Sequence, residues 1–202
     1  MDLLSDNPIE NVEFKGVDFS RREIKIKEII DTRFTRCAFA EAIFKECRFR
    51  NCVFTKCDLS LSHVTGSQFS NVQFEGCKAS GINWTEASWQ KSGLFRLIDF
   101  NDCSLNYSTF FGLKLNGIRI THCIAREVDF GEADLTRAVF DGTDLAGSLF
   151  MHTNLTEADF TKASNYSISA KHNQLMKTKF SLPEAMSLLY GLDIILVDPQ
   201  NE

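Results

Sequence analysis

The chain has 202 residues, 44% of them hydrophobic, and its 18 phenylalanines suffice for a narrow core of ordinary domain size. The formal net charge of −5 is modest, and the excess of acids in residues 97–162 argues against direct nucleic-acid binding by that half. The opening residues Met1-Asp2-Leu3-Leu4-Ser5-Asp6 hold no basic stretch or long apolar run, and no segment is long enough to span a bilayer, so a soluble, cytoplasmic protein with no membrane partner is expected.

Residues 1–11 read as an amino-terminal cap, and residues 12–162 as one repeat array. Every fifth residue from Phe14 is bulky and apolar: Phe14, Phe19, Ile24, Ile29, Phe34 and onward to Trp84 and Trp89, with Ala79 as a weak member. The series resumes at Phe100 and runs through Leu105, Phe110 and Leu115 to Phe160. A helix repeats every 3.6 residues and a strand every 2, so neither buries one residue in five on a single face; a coil that turns a corner every five residues does. The residue two before each bulky one is nearly always small, as at Cys37, Ala42, Cys47, Ala133 and Thr143, and a polar residue commonly stands between, as in Ala133-Asp134-Leu135 and Thr153-Asn154-Leu155.

These segments resemble the A-(D/N)-L-x-x signature of pentapeptide repeat proteins over roughly three quarters of the chain. The resemblance implies an all-β solenoid, a right-handed quadrilateral β-helix in which four pentapeptides make one square coil. Residues twenty apart then stack, so Phe14, Phe34, Phe54 and Phe74 form one interior ladder. Coils about 4.8 Å apart would make a rod of about seven to eight turns, stabilised as a sum of nearest-neighbour terms.

The seven cysteines, Cys37, Cys47, Cys52, Cys57, Cys77, Cys103 and Cys123, all fall at the small inward position, and reduced packing residues are expected, although spacing alone leaves pairing between coils open. The histidines show no ligand spacing, and His63, His122 and His152 fall at outward positions. No phosphate loop, nucleophile motif or paired-carboxylate motif stands out, so no catalytic residue, metal or cofactor is expected, and the protein is read as a non-enzyme.

The register breaks between Trp89 and Phe100, which are eleven residues apart, two repeats plus one. The segment 90–97 must therefore bulge. It is either a neutral insertion or a partner-binding loop, and Lys91, Leu94, Phe95 and Arg96 are its candidate contacts. Charge is uneven along the array: residues 13–96 hold ten acids and fourteen bases, and residues 97–162 hold ten acids and five bases. The five-residue register puts Asp99, Asp102, Asp141 and Asp159 on one side, an acidic face able to compete for a site that normally holds DNA phosphates.

Residues 163–202 depart from the pattern and read as a capping and dimerisation module. Ser181 is placed to cap a short helix with Pro183 and Glu184 in its first turn, Gly191 to end it, and residues 194–197 to form a short strand. Leu182, Ala185, Met186, Leu189, Ile194 and Leu196 are the expected interface of a homodimer. The segments Asn165-Tyr166-Ser167-Ile168 and Phe180-Ser181-Leu182-Pro183-Glu184-Ala185 resemble the carboxyl-terminal module of topoisomerase-protecting pentapeptide proteins. With Gly81-Ile82-Asn83-Trp84-Thr85 and Phe111-Gly112-Leu113, the chain is most similar to the albicidin-resistance branch, and less so to the microcin-immunity and Qnr quinolone-resistance branches. The resemblance implies a head-to-head dimer whose rod, similar to B-DNA in size and charge, engages DNA gyrase and relieves its poisoning. The alternative is a generic scaffold for another protein, with Phe111, Leu149 and Met151 as exposed contacts.

Overall fold

A computed structural model describes residues 7–89, 98–192 and 194 of the chain. The residues wind into a right-handed, square-sectioned parallel β-solenoid of about eight coils with little helix. The four sides are named here by an early inward residue. On the Phe14 side, Glu13–Lys15, Arg33–Thr35, Val53–Thr55, Val72–Glu75, Ile98–Asn101 and Ile120–Thr121 form one parallel sheet that aligns Phe14, Phe34, Phe54, Phe74, Phe100 and Ile120. On the Ile29 side, Ile9–Glu10, Glu28–Ile30, Arg48–Arg50 and Gln68–Ser70 align Ile9, Ile29, Phe49 and Phe69. The Ile24 side begins with the paired strands Glu23–Lys25 and Ile43–Lys45, and the Phe19 side is joined by single bridges such as Asp18 to Ala38 and Ala38 to Asp58.

The predicted spacing of twenty holds except across the register break. There Phe74 pairs with Phe100, Lys78 with Ser104 and Asn83 with Thr109, so the partners are 26 apart. The eleven residues from Trp89 to Phe100 thus make one side plus six extra residues, rather than two sides plus one. The surplus falls in sequence between the Ile29 side and the Phe14 side, and every later coil resumes the original stacking.

The interior is a set of ring ladders. Phe34 stacks on Phe54 at 4.7 Å, Phe54 on Phe74 at 5.0 Å and Phe74 on Phe100 at 4.9 Å. Rings also meet edge to face across the interior, as Phe34 does Phe39 on the adjoining side and Phe130 does Phe140 on the opposite one. Each such pair adds about 0.5–1.5 kcal/mol to the burial of its surface. Trp84 is fully buried, edge-on to Phe69, Phe74 and Phe100, and its indole nitrogen has no hydrogen-bond partner. The coil that carries Trp84 and Trp89 is also the one that carries Ala79. Two indoles in a fixed cross-section leave room only for a small residue at the weak position.

Corners and walls follow from two further positions. The residue two after a bulky one is nearly always left-handed, for example Gly16, Arg21, Ile26 and Arg36 with φ of 51–62°; Glu86, in a short 3-10 turn after Trp84, is an exception. The N–H of the left-handed residue reaches the next coil: Gly16 N to Thr35 O, Arg21 N to Ala40 O and Ile26 N to Lys45 O are each 2.9 Å. The small inward residue, when it is Ser, Thr or Cys, clips coils together. Cys57 Sγ donates to Phe34 O at 3.3 Å, Ser62 Oγ to Phe39 O at 2.8 Å and Thr143 Oγ1 to Ile120 O at 2.7 Å. All seven cysteines are buried and free, and five of them, Cys37, Cys57, Cys77, Cys103 and Cys123, form one column in the Phe19-side wall. Cys57, Cys77 and Cys103 each donate their backbone N–H to the sulfur of the next. Burial pushes the Cys52 thiol up to about 11, and contact with the next thiol together with burial pushes Cys77 and Cys103 up to about 12.

Coil stacking continues past Phe160. Asp159–Phe160 pairs with Lys179–Phe180, Asn154 bridges to Gln174, and the Phe180 ring stacks on Phe160 at 5.2 Å. The following helix, Glu184–Gly191, is a 3-10 helix of eight residues. Ser181 does not cap it. The residue at the cap position is Pro183, with no side-chain hydrogen bond, and the Ser181 hydroxyl instead accepts the N–H of Lys162 at 2.9 Å, closing an open group of the coil above. Of the predicted strand 194–197, Ile194 is not in a strand and residues 195–197 lie outside the described residues.

Candidate interaction surfaces

The loop candidates Lys91, Leu94, Phe95 and Arg96 lie outside the described residues. Its two roots are described. Trp89 donates its indole N–H to Trp84 O at 2.9 Å and packs over Phe69 at 6.0 Å, and Ile98 is buried in register with Val72. An open groove of about 260 Å³ adjoins the second root on the Phe14 side, lined by Gln73, Glu75, Asp99, Asn101, Arg119 and Thr121.

Asp99, Asp102, Asp141 and Asp159 all stand on the Phe14 side. Asp99 and Asp159 share one column, separated by Arg119 and Val139. Their surroundings mix both signs. The Arg119 N–H donates to Asp99 Oδ1 at 3.0 Å, His122 Nε2 lies 3.5 Å from Asp141, and Lys179 Nζ lies 3.3 Å from Asp159. Asn101 donates to Asp102 Oδ2 at 2.7 Å. Partial burial would raise the Asp159 carboxyl, but hydrogen bonds from Thr161 and Lys179 outweigh it and hold the group below its ordinary value. The same side carries Lys15, Arg33, Arg36 and Lys56 in its first three coils, and of these only Lys15 has an ion pair among the described residues, with Glu13 at 3.0 Å. The Phe14 side is thus basic in its first coils and carries more carboxylates toward the other end.

The tail divides its apolar residues. Phe180 and Leu188 pack against the core, while Leu182 is 78% exposed, Met186 42% and Ile194 52%. Ala185 and Leu189 are half-buried, and Leu196 lies outside the described residues. Phe111, Leu149 and Met151 are exposed on the Ile24 side. The neighbouring Tyr107, 66% exposed, escaped the sequence reading. It stands at a corner position, where no rule about side chains applies beyond the left-handed backbone, so only the coil geometry places it on the same side and in the same coil as Phe111.

Among the described residues no group of three or more His, Cys, Asp or Glu side chains could hold a metal ion, and no helix is long and apolar enough to cross a membrane.

Two family models match the chain: "Pentapeptide repeat region" over residues 27–110, and "Pentapeptide repeats (8 copies)" over 114–150 and 133–164. No curated protein matches it in sequence. Among solved structures the chain is similar to HetL, a pentapeptide repeat protein of the cyanobacterium Nostoc involved in heterocyst differentiation regulation. They share 15% identity over 85% of this chain and 84% of that one, with a TM-score of 0.70. It is also similar to two trypsin-treated forms of QnrB1, a plasmid-mediated fluoroquinolone resistance protein. One has 16% identity over 93% of this chain and 99% of that one (TM-score 0.57), and the other 18% over 97% and 94% (TM-score 0.56).

Proposed function

The chain belongs to the pentapeptide repeat family, and from that premise we propose that it is a non-enzymatic binding protein whose partner is DNA gyrase or a related type II topoisomerase. It modulates that enzyme, or protects it from poisons such as albicidin, microcin or fluoroquinolones, by presenting carboxylates where DNA phosphates would lie. The observation that carries this reading is the fold shared with the fluoroquinolone resistance protein QnrB1 over at least 93% of either chain. The acidic coils bearing Asp99, Asp102, Asp141 and Asp159 enter the phosphate site, while the coils bearing Arg33, Arg36 and Lys56 stay outside it. The exposed Leu182, Met186 and Ile194 join two copies through their carboxyl-terminal ends.

The deciding experiment titrates the purified protein into gyrase supercoiling and cleavage-complex assays, with and without each poison. Relief of poisoning at a level that spares supercoiling is the expected result. Inhibition alone leaves a DNA mimic without a protective role, and no effect at any concentration removes the proposal. For the dimer, Met186→Asp should give a monomer by light scattering; a persisting dimer would place the seam elsewhere.

A second reading, a scaffold for a partner other than gyrase, is favoured by the higher TM-score of 0.70 to HetL. A pull-down that recovers one defined partner and no gyrase would select it.

A further inference from the structure

We propose that the Ile24 side, over residues 107–152, is a docking site for a basic amphipathic helix of a partner protein, independent of the Phe14-side carboxylates. Three successive coils build it. The middle one presents Glu127, Asp129 and Glu132 in a row across the side, between a coil with Tyr107 and Phe111 and a coil with Leu149 and Met151. The stacking is set by the bridges from Thr109 to Asp129 and from Asp129 to Leu149, and by the hydrogen bonds from Gly112 N to Gly131 O and Glu132 N to Met151 O.

The four apolar side chains are exposed, from 45% for Phe111 to 66% for Tyr107. Phe111 lies across Gly131, its ring within 3.1 Å of where a β-carbon there would stand, so the glycine keeps the platform flat. Residues 107–112, 127–132 and 147–152 contain no Lys or Arg. The Glu127 and Glu132 side chains form no ion pair or hydrogen bond among the described residues, while elsewhere on the rod carboxylates such as Glu41, Asp144 and Glu157 are matched by an arginine at 2.7–3.0 Å.

An acid row left without bases between two apolar rows selects an occupant of inverse pattern. The rows are about 4.8 Å apart, close to the roughly 5.4 Å pitch of an α-helix. A helix laid along the rod therefore sets an apolar residue on Tyr107 and Phe111, a Lys or Arg one turn later against the carboxylates, and an apolar residue one turn further on Leu149 and Met151. The exposed ring faces of Tyr107 and Phe111 are also open to a cationic group.

The probe is a synthetic helical peptide with Leu at i and i+7 and Lys at i+3 and i+4, titrated by fluorescence anisotropy. Binding that weakens at least tenfold in Glu127→Lys/Glu132→Lys and in Met151→Glu, but not in Asp141→Lys on the Phe14 side, is the expected result, each variant first shown to melt like the parent. Equal binding by the charge-reversed protein overturns the proposal. So does oligolysine binding as tightly as the peptide, since that reports net charge alone. A change of oligomeric state in Met151→Glu, read by light scattering, would also overturn it by assigning the face to a second copy of this chain.

Discussion

The coils before the register break and those after it share one core and differ in their walls. Before residue 90, three of the four sides carry paired strands of two to four residues; after residue 121, single bridges dominate. The difference lies in the residue just before each bulky one. Where it is Glu13, Arg33, Arg48, Val53 or Gln73, the wall stays extended. Where it is Asp or Asn, its side chain commonly accepts the N–H two residues on, as Asp129 does from Gly131 at 2.8 Å, Asp134 from Thr136 at 3.1 Å and Asn154 from Thr156 at 3.1 Å, and the chain turns early. Ala38, Lys114 and Ile124 lack such a group yet turn the same way, and each is bridged to a neighbour that has one, Asp58, Asp134 and Asp144 respectively. A corner geometry set in one coil is copied into the next. Asp99 marks the boundary condition: its carboxylate accepts from Arg119 in the following coil, and its own segment remains a strand.

The core ladders should be the strongest common element. Phe54→Ala, which opens a void between Phe34 and Phe74, is expected to cost about 3–5 kcal/mol by urea unfolding; a loss under 1 kcal/mol would mean that neighbouring rings collapse into the gap. The turn carboxylates should separate the two regions next. Asp144→Ala removes hydrogen bonds from Ala146, Arg126 and Asn165 and should cost about 1–2 kcal/mol, whereas Gln73→Ala, at the same repeat position in an extended wall of the first region, should change stability by less than about 0.5 kcal/mol. Equal effects would erase the distinction.

Acid should sharpen it. Partial burial raises Asp134, Asp144 and Asp159, but hydrogen bonds from Thr136 and Asn116, from Asn165 and Arg126, and from Thr161 and Lys179 overcome this and hold all three below the ordinary carboxylate value. A lowered folded-state value means that the stabilisation is complete above the unfolded value near pH 4 and is lost as pH falls through the folded one. Hydrogen exchange at pH 3 should therefore open the coils after residue 98 first, and uniform opening would contradict the assignment. The smallest effect is expected at Ile26, a β-branched residue at φ 51° and 67% exposed. Ile26→Asn should stabilise the first coils by about 0.5–1 kcal/mol in thermal melts, and no gain would show that the corner tolerates branching.

The five-residue period carried the fold because it reports a steric requirement repeated in every coil, and the inward cysteines were legible for the same reason. The six surplus residues near 90–97 were not, since eleven residues divide equally well as two sides plus one or as one side plus six until the pairing of Phe74 with Phe100 decides. Ser181 looked like a helix cap because the next residues favour a helix, yet the open Lys162 N–H of the coil above competes for the same hydroxyl. Asp99 and Asp159 can be placed on one side from register, and the same spacing of twenty sets Arg119 and Lys179 beside them; what register does not give is the contact each makes, a backbone N–H from Arg119 to Asp99 and an ammonium from Lys179 to Asp159.

The cysteine column has a practical corollary. Cys52, Cys77 and Cys103, held at values of about 11–12, carry almost no thiolate near neutral pH, and all seven thiols are buried, so the closed rod shields them from alkylating reagents. Each cysteine-bearing coil that comes apart releases its own thiols, and the seven cysteines, spread from Cys37 to Cys123, become a ruler for that stretch along which fraying can be timed by mass, one alkyl group at a time.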